Sequence, residues 1–227
     1  RVRFRNEAMT NSKKPSMATA SLRNRLLLWG ESNYRQFPWR DIEQPWLALL
    51  AEVLLQRTNA THVSKYFSEM SRLFPTPESV LAATTSDLDQ IEKKFGLDRR
   101  LKTILAIAEY VESKDIYPTD FEELTSLFGI GHYTAAAYLS LHMNVRGVLV
   151  DSNIARWLAR LAGEERPLDV RRCKWLWELA DKLTPELGFK DYNHAVLDFT
   201  MTVCRSRSPR CEVCPFTDSC DHFSQMT

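Results

Sequence analysis

The chain has 227 residues, of which 44% are hydrophobic and 26% charged, so it can form one large domain or two small ones around a buried core. Its formal net charge is only +1, which excludes a uniform basic field and leaves local basic patches for any nucleic-acid binding. No apolar run reaches the length of a membrane span, so we expect no membrane partner. Helical periodicity is frequent and strand-like alternation is rare, which predicts an all-α fold.

Residues 1–21 are predicted to form a basic, disordered tail, because the first twenty-five residues carry one acid, Glu7, and no apolar period. Part of this stretch could be vector-derived, with Met9 or Met17 as a native start. A transit peptide is an alternative that the poor amphipathic pattern disfavours. A basic tail can also contact DNA phosphates weakly.

Apolar periodicity predicts a series of helices along the rest of the chain. They cover residues 22–29, 46–57, 61–74, 86–95, 101–112, 134–143, 154–161, 171–183 and 192–203. Thr119 and Glu122 have the spacing of a capping box, which predicts one more helix before a glycine turn. The connector at 37–40, Phe-Pro-Trp-Arg, is aromatic and stiffened by its proline.

The glycine turn lies in the stretch 127–135, which reads Leu-Phe-Gly-Ile-Gly-His-Tyr-Thr-Ala. Two glycines one residue apart interrupt a helix and let the backbone approach another group closely. A new helix starts at once, and its free N–H groups form an anion site. Asp151 follows the apolar run at 148–150. A phosphate-binding turn near a carboxylate indicates an enzyme that acts on a nucleic acid.

Four of the five cysteines fall in one short C-terminal run, which suits a metal centre, either a cluster or a zinc ion. The four are Cys204, Cys211, Cys214 and Cys220. Disulfides are less favoured, because the chain has no secretory signal and the fifth cysteine, Cys173, stands apart in an apolar segment where packing explains it. Arginines in the same loop suit either phosphate contact or a solvated surface.

Together the glycine hairpin, the Asp151 connection and the Cys-x6-Cys-x2-Cys-x5-Cys run resemble the iron–sulfur helix-hairpin-helix DNA glycosylases of the endonuclease III and MutY superfamily. The resemblance extends from about residue 22 to the end and is closest to the thymine–DNA mismatch glycosylases. It implies a two-domain helical fold. A six-helix barrel would span 44–146, with the helix-hairpin-helix at 120–143, and a cluster domain would combine 22–43 with 147–227.

The resemblance also implies a [4Fe–4S] cluster on the four cysteines, DNA across the cleft between the domains, and a monovalent cation on the hairpin carbonyls. Phe128 departs from the family pattern, which usually has proline there. We expect the hairpin to be more flexible for this reason but to keep its phosphate site, because both glycines remain.

Four residues are assigned catalytic roles through the resemblance. Tyr133 stands where bifunctional relatives have a lysine, and a phenol cannot form a Schiff base, which predicts a monofunctional enzyme that leaves an abasic site. Tyr133 is expected to hydrogen-bond Asp151 or the target nucleotide, with aromatic packing as the alternative. Asp151 would stabilise the positive charge on the sugar, and Asn153 would orient Asp151 or the sugar-phosphate. Glu52, a lone acid in an apolar helix, would act on the leaving base or on water; a structural pair with Arg57 is the alternative.

Six residues are predicted to contact DNA. Gln56 or Arg57 would enter the duplex and fill the gap left by the extruded base, although a helix end at the surface also carries such residues. The hairpin amides would hold a phosphate. The full set is Gln56, Arg57, Gly129, Gly131, His132 and Thr134.

The predicted substrate is double-stranded DNA with a mismatched or damaged base. The preferred prediction is that thymine or uracil opposite guanine is removed. Residues 96–100 and 198–200 resemble the thymine group more than the adenine group. The alternatives are an adenine glycosylase acting on A:G or A:oxoguanine pairs, and a non-catalytic DNA-binding iron–sulfur protein, which the presence of both Glu52 and Asp151 disfavours. An electron-transfer protein would have no use for the hairpin. We expect a monomer that is intracellular and located with the DNA.

Overall fold

The computed structural model of the protein describes residues 19–225. Residues 1–18 of the predicted tail lie outside this range. The first helix begins at Thr19, so residues 19–21 belong to that helix instead of the tail.

All regular structure in this range is helical, as the sequence predicts. The α-helices are α1 (Thr19–Glu31), α2 (Pro45–Leu55), α3 (Ala60–Val63), α4 (Phe67–Leu73), α5 (Pro77–Leu81), α6 (Thr85–Phe95), α7 (Asp98–Lys114), α8 (Phe121–Ser126), α9 (His132–Leu141), α10 (Ser152–Ala162), α11 (Lys174–Leu183), α12 (Phe189–Thr202) and α13 (Asp221–Ser224). Short 3-10 turns occupy Val170–Arg172, Cys211–Val213 and Thr217–Ser219. In the part of the chain described, no helix is both long and apolar enough to cross a membrane.

The single helix predicted at 61–74 is two helices, α3 and α4. The backbone between them tightens into i to i−3 hydrogen bonds, from Lys65 N to the His62 carbonyl at 3.2 Å and from Tyr66 N to the Val63 carbonyl at 3.1 Å. The Ser64 hydroxyl also donates to the Thr61 carbonyl at 2.9 Å. A serine side chain that bonds to the backbone competes with helix continuation, and apolar spacing alone does not reveal this competition.

Residues 19–225 form two hydrophobic cores. The first core is formed by the middle of the chain and is centred on α2. This helix is buried on nearly all sides, because Glu52 is the one charged residue in its sequence, Pro-Trp-Leu-Ala-Leu-Leu-Ala-Glu-Val-Leu-Leu. The second combines α1 with α10, α11, α12 and Phe216 of the cysteine loop. The boundaries predicted at 43/44 and 146/147 stay predictions, but this division places α1 with the C-terminal helices.

Helix α9 belongs to both cores. Ala135, Tyr138 and Leu139 pack in the first core, whereas Ala136 and Leu141 pack in the second. Every residue from Thr134 to Leu141 is buried. The helix is therefore fixed from both sides, and the groups at its two ends lie at the junction of the cores.

Helix α1 is fastened to the C-terminal part of the chain by two arginines. Arg23 donates to the carbonyls of Leu183 and Lys182, each at 3.0 Å, and so binds the end of α11. Arg25 donates to the Pro215 carbonyl at 3.0 Å in the cysteine loop. These contacts hold together segments that are more than half the chain apart.

Candidate active site

The hairpin between α8 and α9 begins with a capped helix. The Asp120 carboxylate accepts from the backbone N–H groups of Glu122 and Glu123 at 2.9 and 3.1 Å, so Asp120, not Thr119, is the N-cap of α8. The predicted helix is present, but the capping box from Thr119 to Glu122 was wrong. An aspartate outcompetes the neighbouring threonine here because its side chain reaches two backbone donors.

The two hairpin glycines differ in whether a side chain could replace the glycine hydrogen. Gly129 has a φ of +79°, and a Cβ atom there would lie 1.9 Å from the Thr103 hydroxyl oxygen on α7. Gly131 has an extended backbone, and a Cβ atom there would meet nothing within 4 Å. The first glycine is needed for packing within the protein, while the second leaves open space in front of the first turn of α9.

Gly129→Ala is expected to destabilise the protein by roughly 2–4 kcal/mol, because alanine disfavours this φ and its methyl group would displace α7. Gly131→Ala is the matched control and should leave the free energy of unfolding within about 0.5 kcal/mol. Urea denaturation of the two variants measures the difference. Equal losses would contradict the assignment of the steric requirement to Gly129.

A cleft of about 510 Å³ lies beside the hairpin, between the two cores. It brings together seven of the ten residues predicted for catalysis or DNA contact. They are Glu52, Gln56, Arg57, Tyr133, Thr134, Asp151 and Asn153. Gly129, Gly131 and His132 do not line it; they lie on the hairpin at its edge. The volume is within the range of small-ligand sites and is large enough for a nucleobase.

Asp151 is the N-cap of α10. Its Oδ1 atom accepts from the backbone N–H groups of Asn153 at 2.8 Å and Ile154 at 2.7 Å. Its Oδ2 atom accepts from the Asn153 side-chain amide at 2.9 Å. These three donors fix the position of the carboxylate at the N-terminus of α10.

Asn153 continues this network to a buried arginine. Its Oδ1 atom accepts from Arg156 Nη1 at 2.9 Å. The same guanidinium donates to the carbonyl of Thr200 at 2.8 Å and to that of Cys204 at 2.8 and 3.1 Å. Arg156 is 8% exposed, and its burial lowers the pKa, yet arginine remains charged in proteins. The network therefore joins Asp151 to the start of the cysteine run.

Tyr133 lies half-buried at the first turn of α9 and lines the cleft. Burial, and then the charges of Asp151 and Glu52, raise its pKa well above its ordinary value, so the side chain remains a neutral phenol. Within residues 19–225 its hydroxyl group makes no hydrogen bond, and the expected bond to Asp151 is not formed. The phenol is therefore available to a bound group.

Glu52 pairs with a residue that the sequence reasoning missed. His142 Nε2 lies 3.0 Å from Glu52 Oε1, and the two side chains are 2% and 5% exposed. The alternative pair with Arg57 is not formed. A signal was present, since His142 is a polar residue directly after the buried run 134–141, but nothing in the sequence placed it next to Glu52.

Gln56 and Arg57 diverge at the end of α2. The Gln56 amide donates to the Gly129 carbonyl at 3.0 Å and lies 3.2 Å from the Thr134 hydroxyl oxygen. Arg57 is exposed and has a φ of +54°, which is rare for a residue with a Cβ atom. Gln56 thus ties α2 to the hairpin, and Arg57 is the one of the two that faces solvent.

The connector at 37–40 also forms part of the cleft wall. Arg40 donates to both carboxylate oxygens of Asp198 on α12 at 2.8 and 2.9 Å. Phe37 and Trp39 stack with their ring centroids 4.8 Å apart. The sequence indicated an aromatic connector but no role for it in the cleft. Burial, with the charges of Arg40 and Lys190, lowers the pKa of the adjacent His194 to about 3, so this ring is neutral at physiological pH.

The four clustered cysteines line a different, smaller cavity of about 30 Å³, with Trp157, Arg160 and Phe216 in its wall. Arg160 Nη1 lies 3.5 Å from Cys204 Sγ. Among residues 19–225, no three His, Cys, Asp or Glu side chains are close enough together to hold one metal ion. Cys173 is the N-cap residue of α11 and packs at the edge of the second core, so it begins that helix instead of lying within it.

The comparison with known proteins decides the family. Residues 50–184 match the model of the HhH-GPD superfamily base excision DNA repair protein. The chain belongs to the HhH-GPD superfamily. A thymine/uracil-DNA glycosylase of Methanothermobacter thermautotrophicus is 30% identical over 205 residues, which cover 89% of this chain and 93% of that protein. An adenine DNA glycosylase of Mycobacterium tuberculosis is 32% identical over 196 residues, which cover 84% of this chain and 64% of that protein.

Among solved structures, a thermostable thymine-DNA glycosylase superposes with a TM-score of 0.84 at 28% identity and covers 91% of this chain and 97% of that one. The predicted family and helical fold are confirmed. Local sequence signals predicted the hairpin and the Asp151 carboxylate, but not the role of Asp151 as an N-cap. They did not predict that His142, His194 and Arg40 line the same cleft.

Proposed function

We propose that this protein is a monofunctional DNA glycosylase that hydrolyses the N-glycosidic bond of thymine or uracil opposite guanine. The observation that carries the proposal is the placement of Asp151, Glu52 and the neutral phenol of Tyr133 around one cleft of about 510 Å³. A lysine is absent from the Tyr133 position, so no amine is available there to attack the sugar. The similarity to thymine/uracil-DNA and thymine-DNA glycosylases over nine-tenths of the chain supports the choice of base.

In this proposal the target nucleotide rotates out of the duplex into the cleft. Positive charge develops on the sugar as the bond to the base breaks, and the fixed carboxylate of Asp151 stabilises it. Asn153 holds Asp151 in place through the 2.9 Å bond to Oδ2. The hydroxyl group of Tyr133 donates a hydrogen bond to the bound nucleotide. Glu52 acts on water or on the leaving base.

The hairpin would hold a DNA phosphate on the backbone N–H groups that open α9, where Gly131 leaves the approach unobstructed. Arg57 would fill the gap in the duplex, and Gln56 would position the hairpin. His132, exposed beside Gly131, and Thr134 would complete the DNA surface. A monovalent cation on the hairpin carbonyls belongs to the same proposal. We propose that the protein works as a monomer, inside the cell and on the DNA.

We also propose a [4Fe–4S] cluster held by Cys204, Cys211, Cys214 and Cys220. All four cysteines line one small cavity, and four clustered cysteines are a usual ligand set of such a cluster. Burial raises the pKa of the Cys214 thiol to about 11, so a thiolate there needs a positive centre next to it. Such a cluster would order the loop near DNA and take no part in base removal.

The cluster proposal predicts a brown protein with about four iron atoms per chain and a broad absorption band in the visible range. Metal analysis and an absorption spectrum of anaerobically purified protein measure this. A colourless protein that contains one zinc ion would contradict it.

An adenine glycosylase is the second candidate, because the adenine relative is as similar as the thymine relatives. The chain spans 64% of that relative's length. A DNA-binding protein without activity is the third candidate, and it would leave the buried Glu52 and the positioned Asp151 without a purpose.

One assay separates the candidates. The protein is incubated with duplexes that contain T:G, U:G, A:G or A:oxoguanine pairs, and alkali then cleaves any abasic site. We expect cleavage after alkali at T:G and U:G, and intact strands without alkali. Release of adenine alone would establish the second candidate, and binding without release the third.

Tyr133→Lys is expected to gain strand-nicking activity, because a primary amine at this position can attack the sugar and form an imine. Borohydride would then trap the variant on DNA as a covalent complex, which gel electrophoresis detects. Tyr133→Phe is the control and should form no adduct. A folded lysine variant that releases bases but cannot be trapped would contradict the positional argument.

A further inference from the structure

Glu52 and His142 form a buried pair at the inner wall of the cleft. The distance of 3.0 Å between Glu52 Oε1 and His142 Nε2 is that of a hydrogen bond, and neither side chain is more than 5% exposed. Two protonation patterns with a neutral ring fit this distance. Either the ring donates to a carboxylate, or a protonated glutamate donates to the ring. A doubly protonated ring would also donate to the carboxylate.

The other ring nitrogen decides between the two patterns. His142 Nδ1 is buried and has no hydrogen-bond partner within the described residues. In the second pattern, and in a doubly protonated ring, Nδ1 would carry a buried N–H with no acceptor, and such orphaned donors are rare in proteins. In the first pattern Nδ1 is an unpaired acceptor, which is tolerated more often. The first pattern is therefore favoured, with the proton on Nε2 and Glu52 ionised.

Helix α9 gives His142 a fixed position. His142 is the C-cap residue of α9, and its backbone N–H donates to the Tyr138 carbonyl at 3.1 Å. Tyr133 lies in the first turn of the same helix. A helix packed in both cores thus fixes His142 relative to Tyr133.

We propose that His142 is a positioning residue that donates its Nε2 proton to Glu52 and holds it in the cleft as a carboxylate. This inference rests on the proposed glycosylase function and assigns Glu52 the role of a base. Glu52 takes a proton from water while the water oxygen bonds to C1′ of the sugar. The bond from C1′ to the base breaks with its electron pair going to the base nitrogen, and Glu52 then returns the proton to the departed base.

The other ionisable groups in the cleft are compatible with this role. They are Tyr133, Asp151, Arg57, Arg35, Arg40, Asp198 and His194. Arg40 is bound to Asp198, and His194 is neutral, so neither one competes with His142 for Glu52.

The first test measures the tautomer directly in the full chain. A long-range ¹H–¹⁵N correlation spectrum distinguishes an imidazole protonated on Nε2 from one protonated on Nδ1 or on both nitrogens, and His142→Gln assigns the signal. We expect the Nε2–H form for His142. The Nδ1–H form or a doubly protonated ring would overturn the proposal, whatever the enzyme does to DNA.

The second test measures catalysis. His142→Gln keeps a donor at the position of Nε2, whereas His142→Leu removes it. We expect the leucine variant to release thymine or uracil from the G-paired duplex at least about tenfold more slowly in single turnover, with duplex affinity unchanged. The glutamine variant should recover most of the rate.

Rescue by the glutamine variant separates positioning from a structural role. Equal loss of rate and of thermal stability in both variants would overturn the proposal. If the unmodified protein releases no base at all, the proposed function fails, while the tautomer measurement still decides the pairing.

Discussion

Asp151→Asn is expected to slow base release by about 10³-fold while the protein remains folded. The substitution removes the negative charge that would face the developing positive charge on the sugar. It keeps the shape of the side chain and one oxygen acceptor. Since asparagine is as good an N-cap as aspartate, the bonds to Asn153 N and Ile154 N, now at 2.8 and 2.7 Å, can persist.

Single-turnover base release on the preferred duplex measures the effect, and thermal unfolding provides the control. Asp151→Ala should lose similar activity but also about 1 kcal/mol of stability, because alanine cannot cap α10. Comparing the two variants separates the effect of the negative charge on the rate from the effect of the N-cap on stability. Full base release by a folded Asp151→Asn variant would show that the carboxylate is not part of the chemistry.

Arg156→Met is expected to destabilise the protein by about 3 kcal/mol, because it removes a buried, charged hydrogen-bond donor. The buried guanidinium satisfies the carbonyls of Thr200 and Cys204 and the side-chain oxygen of Asn153. Methionine fills similar space but leaves all three acceptors without a donor. Because Asn153 then loses its anchor, the rate of base release should also fall by about tenfold.

Arg160→Met is the matched control, one turn further along α10. Arg160 also donates to the cysteine loop, at 2.7 Å to the Arg205 carbonyl and 3.2 Å to that of Ser206, and both of these bonds are exposed to solvent. Its one partly buried contact, to Cys204 Sγ, is longer, at 3.5 Å. Water can replace an exposed donor, so this variant should lose about 1 kcal/mol or less. Urea denaturation compares the two, and equal losses would contradict the importance assigned to Arg156.

The elements that the sequence predicted correctly depend on short-range signals. The helical fold follows from apolar periodicity, and the hairpin follows from two glycines whose spacing is visible in any single sequence. Asp151 was expected as a carboxylate before a helix. Its role as the N-cap of that helix is also local, since its partners are two and three residues away.

The contacts that were missed join residues far apart in the chain. Gln56 and Gly129 are 73 residues apart, Glu52 and His142 are 90, and Arg40 and Asp198 are 158. No pattern within one helix specifies which helix faces it, and packing of the two cores decides that. The pairing of Glu52 illustrates the problem: Arg57, five residues away, was the local candidate, whereas the actual partner comes from α9.

The double membership of α9 has a consequence for the evolution of this protein. A substitution that enlarges Ala135 or Ala136 changes the fit of one core directly and, because the helix is rigid, shifts Tyr133 and His142 at its ends. Compensating changes would have to arise on both sides at once. The segment from Thr134 to Leu141 should therefore vary less in sequence among orthologues than the exposed residues proposed to contact DNA. Its three consecutive alanines should be its slowest-changing positions.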